Sequence, residues 1–126
     1  MTSPKLIIRF AQADLEAIQA FQHYLEENEN AATRFLEALR AATARIEASP
    51  RLYPKIRGPF RRVLLDRFPY ALIFRETLYE IQIVAVAHTS REPTFWLGRR
   101  VVISTAPIAR ARTENRKDVD LPGLPD

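Results

Sequence analysis

Cysteine is absent from the 126 residues, and histidine occurs only twice, at His23 and His88. A disulfide framework and a thiolate metal site are therefore excluded, a reducing compartment is compatible with the chain, and neither a metal ion nor a cofactor is expected. Only three glycines occur, and the sequence contains no glycine-rich phosphate loop, nucleotide fingerprint or internal repeat. The first apolar run is interrupted at Arg9, so neither a signal peptide nor a membrane span is predicted, and we expect a cytoplasmic protein.

Charge is unevenly distributed along the chain, although the net charge is only +4. Between Phe10 and Pro50, seven acidic side chains stand against three arginines, whereas between Arg51 and Arg75 seven basic side chains stand against a single acid. The second segment favours an acidic partner, either a nucleic acid or an acidic peptide. The alternative is a solvated basic edge that protects strands from aggregation.

The stretch from Arg61 to His88 is the part of the chain in which apolar residues repeat with the period of a β-strand. Two of its runs fold back on each other if a two-residue turn joins them, and Phe74 then lies opposite Ile81 and Arg75 opposite Glu80. This register gathers the large apolar residues on one face. The members of that predicted core face are Leu72, Phe74, Ile81 and Ile83.

Two helices are predicted before these strands. Asp14 opens the first, in which apolar residues recur at steps of three and four. Asn30 is the expected N-cap of the second, which runs to Ala48 before Pro50 ends it. Because the link is short, the helices are expected to pack antiparallel. The predicted core residues are Leu15, Ile18, Phe21 and Leu25 in the first helix, and Phe35, Leu39, Ala42 and Ile46 in the second.

The remaining segments complete an α+β fold. Lys5 to Phe10 is predicted to pair as one further strand with the three-stranded antiparallel meander, and Arg51 to Phe60 is predicted to be an ordered loop. Trp96 is expected to cap one end of the core. We therefore expect an N-terminal strand, a two-helix hairpin and a meander within a domain of residues 1–100, followed by a flexible C-terminal tail over residues 101–126.

The segments RRVLLDRFPYALIFR and IVAVAHTSREPTFW resemble the ParE branch of the RelE/ParE toxins of bacterial toxin–antitoxin pairs. The resemblance covers most of the chain, from about Leu6 to Arg99. The tail beyond Arg100 is longer than this family usually carries. The matching features are Arg61 and Arg62 before the second strand, Phe68-Pro69-Tyr70 at the turn, Arg75 ending the third strand, His88 ending the fourth, and the following Arg91, Pro93 and Trp96.

The resemblance implies a growth-inhibiting toxin held in a hetero-oligomer by a cognate antitoxin, which is ParD-like or a similar small acidic protein. Members of the ParE branch are associated with poisoning of DNA gyrase, and RelE-like members with ribosome-dependent cleavage of mRNA. Binding to gyrase without catalysis is the favoured interpretation, because Tyr70 and Ala71 occupy positions where RelE-like toxins often place an arginine. An inactive binding module with the toxin fold is a further alternative. The expected target-binding residues are Arg61, Arg62, Arg67, His88, Arg91 and Trp96.

The enzymatic alternative rests on His88. Metal-free RNA cleavage needs an acid or base near the attacking 2′-hydroxyl and cations near the scissile phosphate. His88, together with Arg62 or Arg67, is the candidate catalytic set for that reaction. His88 shares the parity of Val84 and Val86, which predicts that it projects from the open face of the sheet and not from the helix-covered face.

An antitoxin is expected to bind in an apolar groove between the helical hairpin and the sheet edge, as an amphipathic helix or an added strand. Acidic antitoxin residues are expected to meet the basic segment that follows the hairpin. The candidate antitoxin-binding residues are Leu25, Leu36, Arg51, Leu52, Lys55 and Arg57.

Overall fold

Alternating and helical apolar patterns produce an α+β fold, which the computed structural model describes over residues 5–105. The order across the sheet is β1-β5-β4-β3-β2, with β1 parallel to β5 and the other neighbours antiparallel. The predicted N-terminal strand, helical hairpin and meander are confirmed. The predicted flexible tail lies outside the described residues from position 106 onward. The elements are β1 (Leu6–Arg9), α1 (Ala11–Glu27), α2 (Glu29–Ala48), β2 (Lys55–Arg57), β3 (Phe60–Leu64), β4 (Tyr70–Glu76) and β5 (Glu80–His88).

Strands β4 and β5 bury the predicted apolar set on one face, but their register differs from the prediction. Phe74 lies opposite Ile83 and not Ile81, and this shift of two residues leaves the face of each side chain unchanged. Val84 has no partner on β4, which makes it the extra residue of a β-bulge. Beyond the bulge the alternation of β5 is inverted, so Val86 joins the helix-covered face.

The connection between β4 and β5 has three residues, 77–79, and not two. The Thr77 amide donates to the Glu80 carbonyl at 2.8 Å, and the Glu80 amide donates to the Thr77 hydroxyl at 3.1 Å. A threonine hydroxyl thus stabilises a turn that contains neither glycine nor asparagine. The longer connection places Arg75 opposite Gln82, to which its Nε donates at 2.7 Å. The predicted pairing of Arg75 with Glu80 is therefore wrong.

Helix α2 buries the predicted side chains at its centre. Phe35, Ala42 and Ile46 are each 0% exposed. The N-cap is Asn28 and not Asn30, since the Asn28 side chain accepts a hydrogen bond from the Ala31 amide at 2.7 Å. Helix α2 therefore begins two residues earlier than predicted. Within residues 5–105, neither this helix nor α1 has the length and apolar character needed to cross a membrane.

Helix α1 presents a different face to the core from the one predicted. Leu15 and Leu25 are 57% and 44% exposed, whereas Ala13, Ala17 and Ala20 are buried. The small side chains allow the helix backbone to lie close to the sheet and to α2. Leu15 and Leu25 are consequently displaced to the outer side, so their prediction as core residues is wrong, whereas Phe21 packs partly buried against the core as predicted.

The segment predicted as a loop before the meander contains β2, whose three exposed residues pair with β3. At the other end of the chain, residues 89–104, here called the strap, cross the sheet face that lies opposite the helices. Trp96 of the strap is 2% exposed and packs against Phe60, with ring centroids 4.7 Å apart and the ring planes tilted by 59°. Ile103 then forms an isolated antiparallel bridge with Phe10. Trp96, the buried residue of the strap, therefore covers part of the sheet face opposite the helices.

Candidate functional site

A pocket of about 180 Å³ opens between the sheet and the strap. Its apolar floor includes Ala71, Ile73 and Ala87, which lie on the face opposite the helices, together with Trp96. Three arginines from separate elements also line it. Arg57 comes from β2, Arg62 from β3 and Arg91 from the strap. We call this arrangement the basic pocket.

The arginines of the basic pocket differ in their partners. Arg57 and Arg62 are exposed, and neither guanidinium has a carboxylate at ion-pair distance within residues 5–105. Arg91 lies 3.6 Å from the centroid of the Phe95 ring and 3.8 Å from Glu16 Oε2. A stacked guanidinium keeps its in-plane donors available. The pocket therefore offers donors from three elements to an anionic group.

The carboxylate in the lining of the pocket belongs to Glu92. Its Oε1 accepts from the Thr94 amide at 2.9 Å, and both its oxygens accept from the Thr94 hydroxyl at 2.8 Å. Those bonds direct the carboxylate into the strap backbone. Glu16, which lies near Arg91, is itself paired with Arg99, so the three guanidinium groups still leave the pocket electropositive.

The ring of His88 packs on the helix side of the sheet, contrary to the prediction, although the residue, at the end of β5, also lines the basic pocket. Its direct partner is Tyr70, and the two rings meet edge to face with centroids 5.0 Å apart. Tyr70 in turn contacts Tyr24 and Phe35 of the helices. The bulge at Val84 reverses the side on which His88 projects.

The chemistry around His88 is that of a packed residue at a strand end. Its Nδ1 accepts from the Ser90 amide at 3.1 Å and lies 2.8 Å from the Ser90 hydroxyl. Burial raises the pKa of Tyr70, and burial followed by repulsion from Tyr70 and Glu27 raises the pKa of Tyr24. Both phenols therefore stay protonated at neutral pH and are poor bases.

The catalytic set of the enzymatic alternative is only partly brought together. His88 and Arg62 both line the basic pocket, but Arg62 pairs with Ile73, whereas the His88 ring packs on Tyr70. No hydrogen bond or ion pair joins His88 to Arg62 or Arg67 in the described part of the chain. Arg67 is exposed between β3 and β4 and has a positive φ of 69°. Residues 5–105 contain no group of acidic and histidine side chains that could hold a metal ion.

Two of the predicted target-binding residues are structural in this fold. Arg61 donates from Nη1 to the Tyr53 carbonyl at 2.6 Å and thereby secures the segment before β2. Trp96 is buried in the layer between strap and sheet, so its prediction as a direct contact with a partner is wrong. It supports the pocket from below, because it is part of the floor.

The Glu16–Arg99 ion pair is a feature that sequence reasoning missed. Arg99 Nη2 lies 2.7 Å from Glu16 Oε2, and Arg99 Nη1 donates to Glu16 Oε1 and to the Val84 carbonyl, both at 3.0 Å. Glu16 Oε1 also accepts from the Val86 amide at 3.0 Å. Strand β1 ends opposite Ile83. Beyond that point, Glu16 and Arg99 provide hydrogen-bond partners for the backbone groups at the edge of β5, namely the Val86 amide and the Val84 carbonyl. No local sequence signal links residues so far apart.

The predicted antitoxin-binding residues do not form one surface. Arg57 belongs to the basic pocket, and Leu36 is 5% exposed, so the prediction of Leu36 as an exposed contact is wrong. Arg51 is already paired with Glu76 at 3.0 Å. A hydrogen bond from Lys5, and then the one from Arg51, lowers the pKa of Glu76. Leu25, Leu52 and Lys55 are exposed.

An apolar opening of about 260 Å³ does lie between the helices and the sheet. Leu36 and Leu39 of α2 face Ile7 of β1 and Leu72 of β4 across it, with Arg40 and Glu47 also in the lining. We call it the hairpin groove. The expectation of a groove between hairpin and sheet edge is confirmed, although most of its lining differs from the predicted residues.

Comparison with known proteins adds a family to this geometry. The profile of the family described as "ParE toxin of type II toxin-antitoxin system, parDE" matches residues 9–93. One solved structure that is similar to the chain is titled "Chromosomal ParDE TA system from P. aeruginosa". It has a TM-score of 0.60 and 17% sequence identity, with 67% of this chain and 95% of that chain covered. At this identity the likeness shows the fold alone. No curated protein matches the sequence.

Proposed function

The chain belongs to the ParE toxin family of type II toxin–antitoxin systems, and on that premise we propose that it inhibits DNA gyrase by binding and is neutralised by a cognate antitoxin. The observation that supports the binding mechanism is that His88 is engaged by Tyr70 and Ser90 and makes no hydrogen bond or ion pair to Arg62 or Arg67 within residues 5–105, although His88 and Arg62 both line the basic pocket. An acid–base group and a phosphate-stabilising cation must reach the same reacting atoms. Here the ring of His88 packs on Tyr70 on the helix side of the sheet, and its Nδ1 is bonded to Ser90.

The basic pocket is the proposed target-binding surface. Arg62 and Arg91 remain in the contact set, and Arg57 joins it, because these three guanidinium groups line one pocket. Exposed Arg67 extends the set at the turn between β3 and β4. Interfaces rely on a few residues around a buried centre, and the rigid apolar floor supplies such a centre. Trp96 contributes by holding that floor in place.

The direct test is the activity of the purified full-length chain on two targets. Inhibited supercoiling and trapped DNA breaks in a gyrase reaction support the proposal. Cleaved message in a translating-ribosome reaction supports the ribonuclease and overturns it. Expression without antitoxin adds a third readout, because an inactive binding module leaves growth unchanged.

His88→Gln separates the mechanisms quantitatively. We expect gyrase inhibition to weaken by about fivefold or less, which corresponds to about 1 kcal/mol, because His88 packs on Tyr70 and is at most one contact among several. A ribonuclease that used His88 as its acid or base would lose about 10²–10⁴-fold in rate. His23→Gln is the matched control, since His23 lies exposed on α1. Abolished toxicity in His88→Gln, with melting temperature and antitoxin affinity unchanged, contradicts the binding mechanism.

The hairpin groove is the proposed seat of the antitoxin. Its side chains are mainly aliphatic, and such a groove accepts an amphipathic helix. Leu25, Leu52 and Lys55 remain proposed contacts outside the groove because they are exposed. A small acidic partner also suits the basic segment after the hairpin.

Calorimetry with the antitoxin encoded in the neighbouring reading frame tests this seat. We expect a negative heat-capacity change on binding, because apolar surface is buried. Leu39→Ala is expected to weaken binding about tenfold, since partial loss of one leucine contact costs about 1.4 kcal/mol. Leu15→Ala is the matched control, because Leu15 lies exposed on α1 and does not line the groove. Equal affinities for the two variants would place the antitoxin elsewhere.

A further inference from the structure

We propose that the basic pocket binds the phosphodiester backbone of DNA, so that the toxin engages the nucleic acid of a gyrase–DNA complex as well as the protein. The gyrase context rests on the proposed function, whereas the phosphate site rests on the pocket alone. Its elements are the guanidinium groups of Arg57 and Arg62, which have no ion-pair partner within residues 5–105, the stacked guanidinium of Arg91 and an apolar floor.

The arginines have the chemistry that phosphate requires. A guanidinium group presents a planar fork of donors that matches two phosphate oxygens, and it remains charged at every physiological pH. Arg57 and Arg62 come from neighbouring strands, and Arg57 lies opposite Phe60, whose ring packs against Trp96. Because β2, β3 and the strap fix their backbones, the three groups need little reorganisation to meet one ligand.

The size of the pocket argues against a free small molecule. Its volume of about 180 Å³ lies below the roughly 300–1,000 Å³ of typical small-molecule sites. A group that projects from a polymer fits better, because the remainder of the polymer stays outside. A ligand with a single carboxylate carries too little negative charge to neutralise three guanidinium groups. Successive phosphates of one nucleic-acid strand supply several negative charges.

The floor predicts weak sequence preference. Base edges are read by hydrogen-bonding side chains or by shape-specific contacts. Ala71, Ile73 and Ala87 have no side-chain donor or acceptor. Binding should therefore depend on phosphate charge and salt, and only slightly on base sequence.

Fluorescence anisotropy of the full-length chain with a labelled 20-base-pair duplex tests the site. With three phosphate contacts, the slope of log affinity against log salt is expected to be about −2.7, so affinity falls about 40-fold between 50 and 200 mM salt. Arg57→Gln and Arg62→Gln should each reduce the steepness of that slope by about 0.9. A second duplex of scrambled sequence should bind within about threefold of the first.

Arg34→Gln provides the matched control, because it removes the same charge from an exposed position on α2, across the sheet from the pocket. A slope change in Arg34→Gln equal to that in Arg62→Gln overturns the proposal, since it shows diffuse charge attraction. A polyglutamate peptide of matched charge is the second probe. If it binds as tightly as DNA and through the same arginines, the pocket is a carboxylate site and the proposal is wrong.

The outcomes for DNA and for gyrase are separable. A salt slope that stays the same in Arg57→Gln and Arg62→Gln, in a protein that inhibits gyrase, overturns the phosphate site and leaves the proposed function standing. DNA binding through these arginines without any effect on supercoiling supports the phosphate site and contradicts the gyrase target.

Discussion

Phe74→Ala is expected to lower the free energy of unfolding by about 3–5 kcal/mol. The Phe74 side chain is 0% exposed, lies opposite Ile83 and meets the Tyr53 ring at a centroid distance of 6.3 Å. Its removal leaves a cavity beneath the helical hairpin that rigid strands cannot close, and the cost of truncation rises with the cavity that remains. Urea denaturation monitored by the single tryptophan measures the change.

Tyr79→Ala is the control for that substitution. Tyr79 is also aromatic but is 78% exposed in the connection between β4 and β5, so we expect its replacement to change stability by at most about 0.5 kcal/mol. A Phe74→Ala protein that unfolds at the same urea concentration as Tyr79→Ala would contradict the assignment of Phe74 to the helix-covered face.

The faces of the central strands could be predicted from sequence, but their register could not. Alternation alone determines which side chains share a face, and Phe74 and Ile83 do share one. A shift of two residues preserves that pattern, so hydrophobicity cannot distinguish it from the predicted pairing. The bulge at Val84 carries no composition signal, because its neighbours are aliphatic residues that suit either face.

That single bulge also explains the error in the candidate site. Regular alternation places His88 on the open face with Arg62, where the two resemble a catalytic pair. The extra residue packs the His88 ring on Tyr70, and although His88 and Arg62 still line one pocket, Arg62 is grouped there with the arginines of β2 and the strap. The sequence shows that segment 51–75 is rich in arginine, whereas only the tertiary structure shows which of these arginines line one pocket.

The two helices show when apolar periodicity identifies the buried face of a helix and when it does not. In α2 the largest apolar side chains are also the buried ones, so Phe35 and Ile46 were identified from spacing. In α1 the core face consists of alanines, and a scale that weights size selects Leu15 and Leu25 instead. Close helix packing favours small residues. Whether a helix packs closely depends on the elements opposite it, which the sequence of the helix does not contain.

Glu16→Ala is expected to lower the free energy of unfolding by about 3 kcal/mol, because it leaves a largely buried guanidinium without its partner. The side chains of Glu16 and Arg99 are 12% and 13% exposed, so solvent screens their attraction only weakly. The substitution also removes the acceptor of the Val86 amide at the edge of β5. Chemical denaturation of Glu16→Ala, Arg99→Ala and the double variant completes a double-mutant cycle. Arg51→Ala, which removes the exposed partner of Glu76, should cost at most about 1 kcal/mol.

The double variant decides whether the pair acts as one unit. With both charges removed, no uncompensated charge remains, so the loss should be smaller than the sum of the single losses by about 1–3 kcal/mol. Additive losses would mean that Glu16 and Arg99 stabilise the sheet edge independently. Because Arg99 belongs to the strap that carries Arg91 and Trp96, Glu16→Ala should also weaken the DNA binding proposed for the basic pocket at temperatures where the protein remains folded. Unchanged DNA affinity in a destabilised Glu16→Ala protein would show that the pocket keeps its shape without the ion pair.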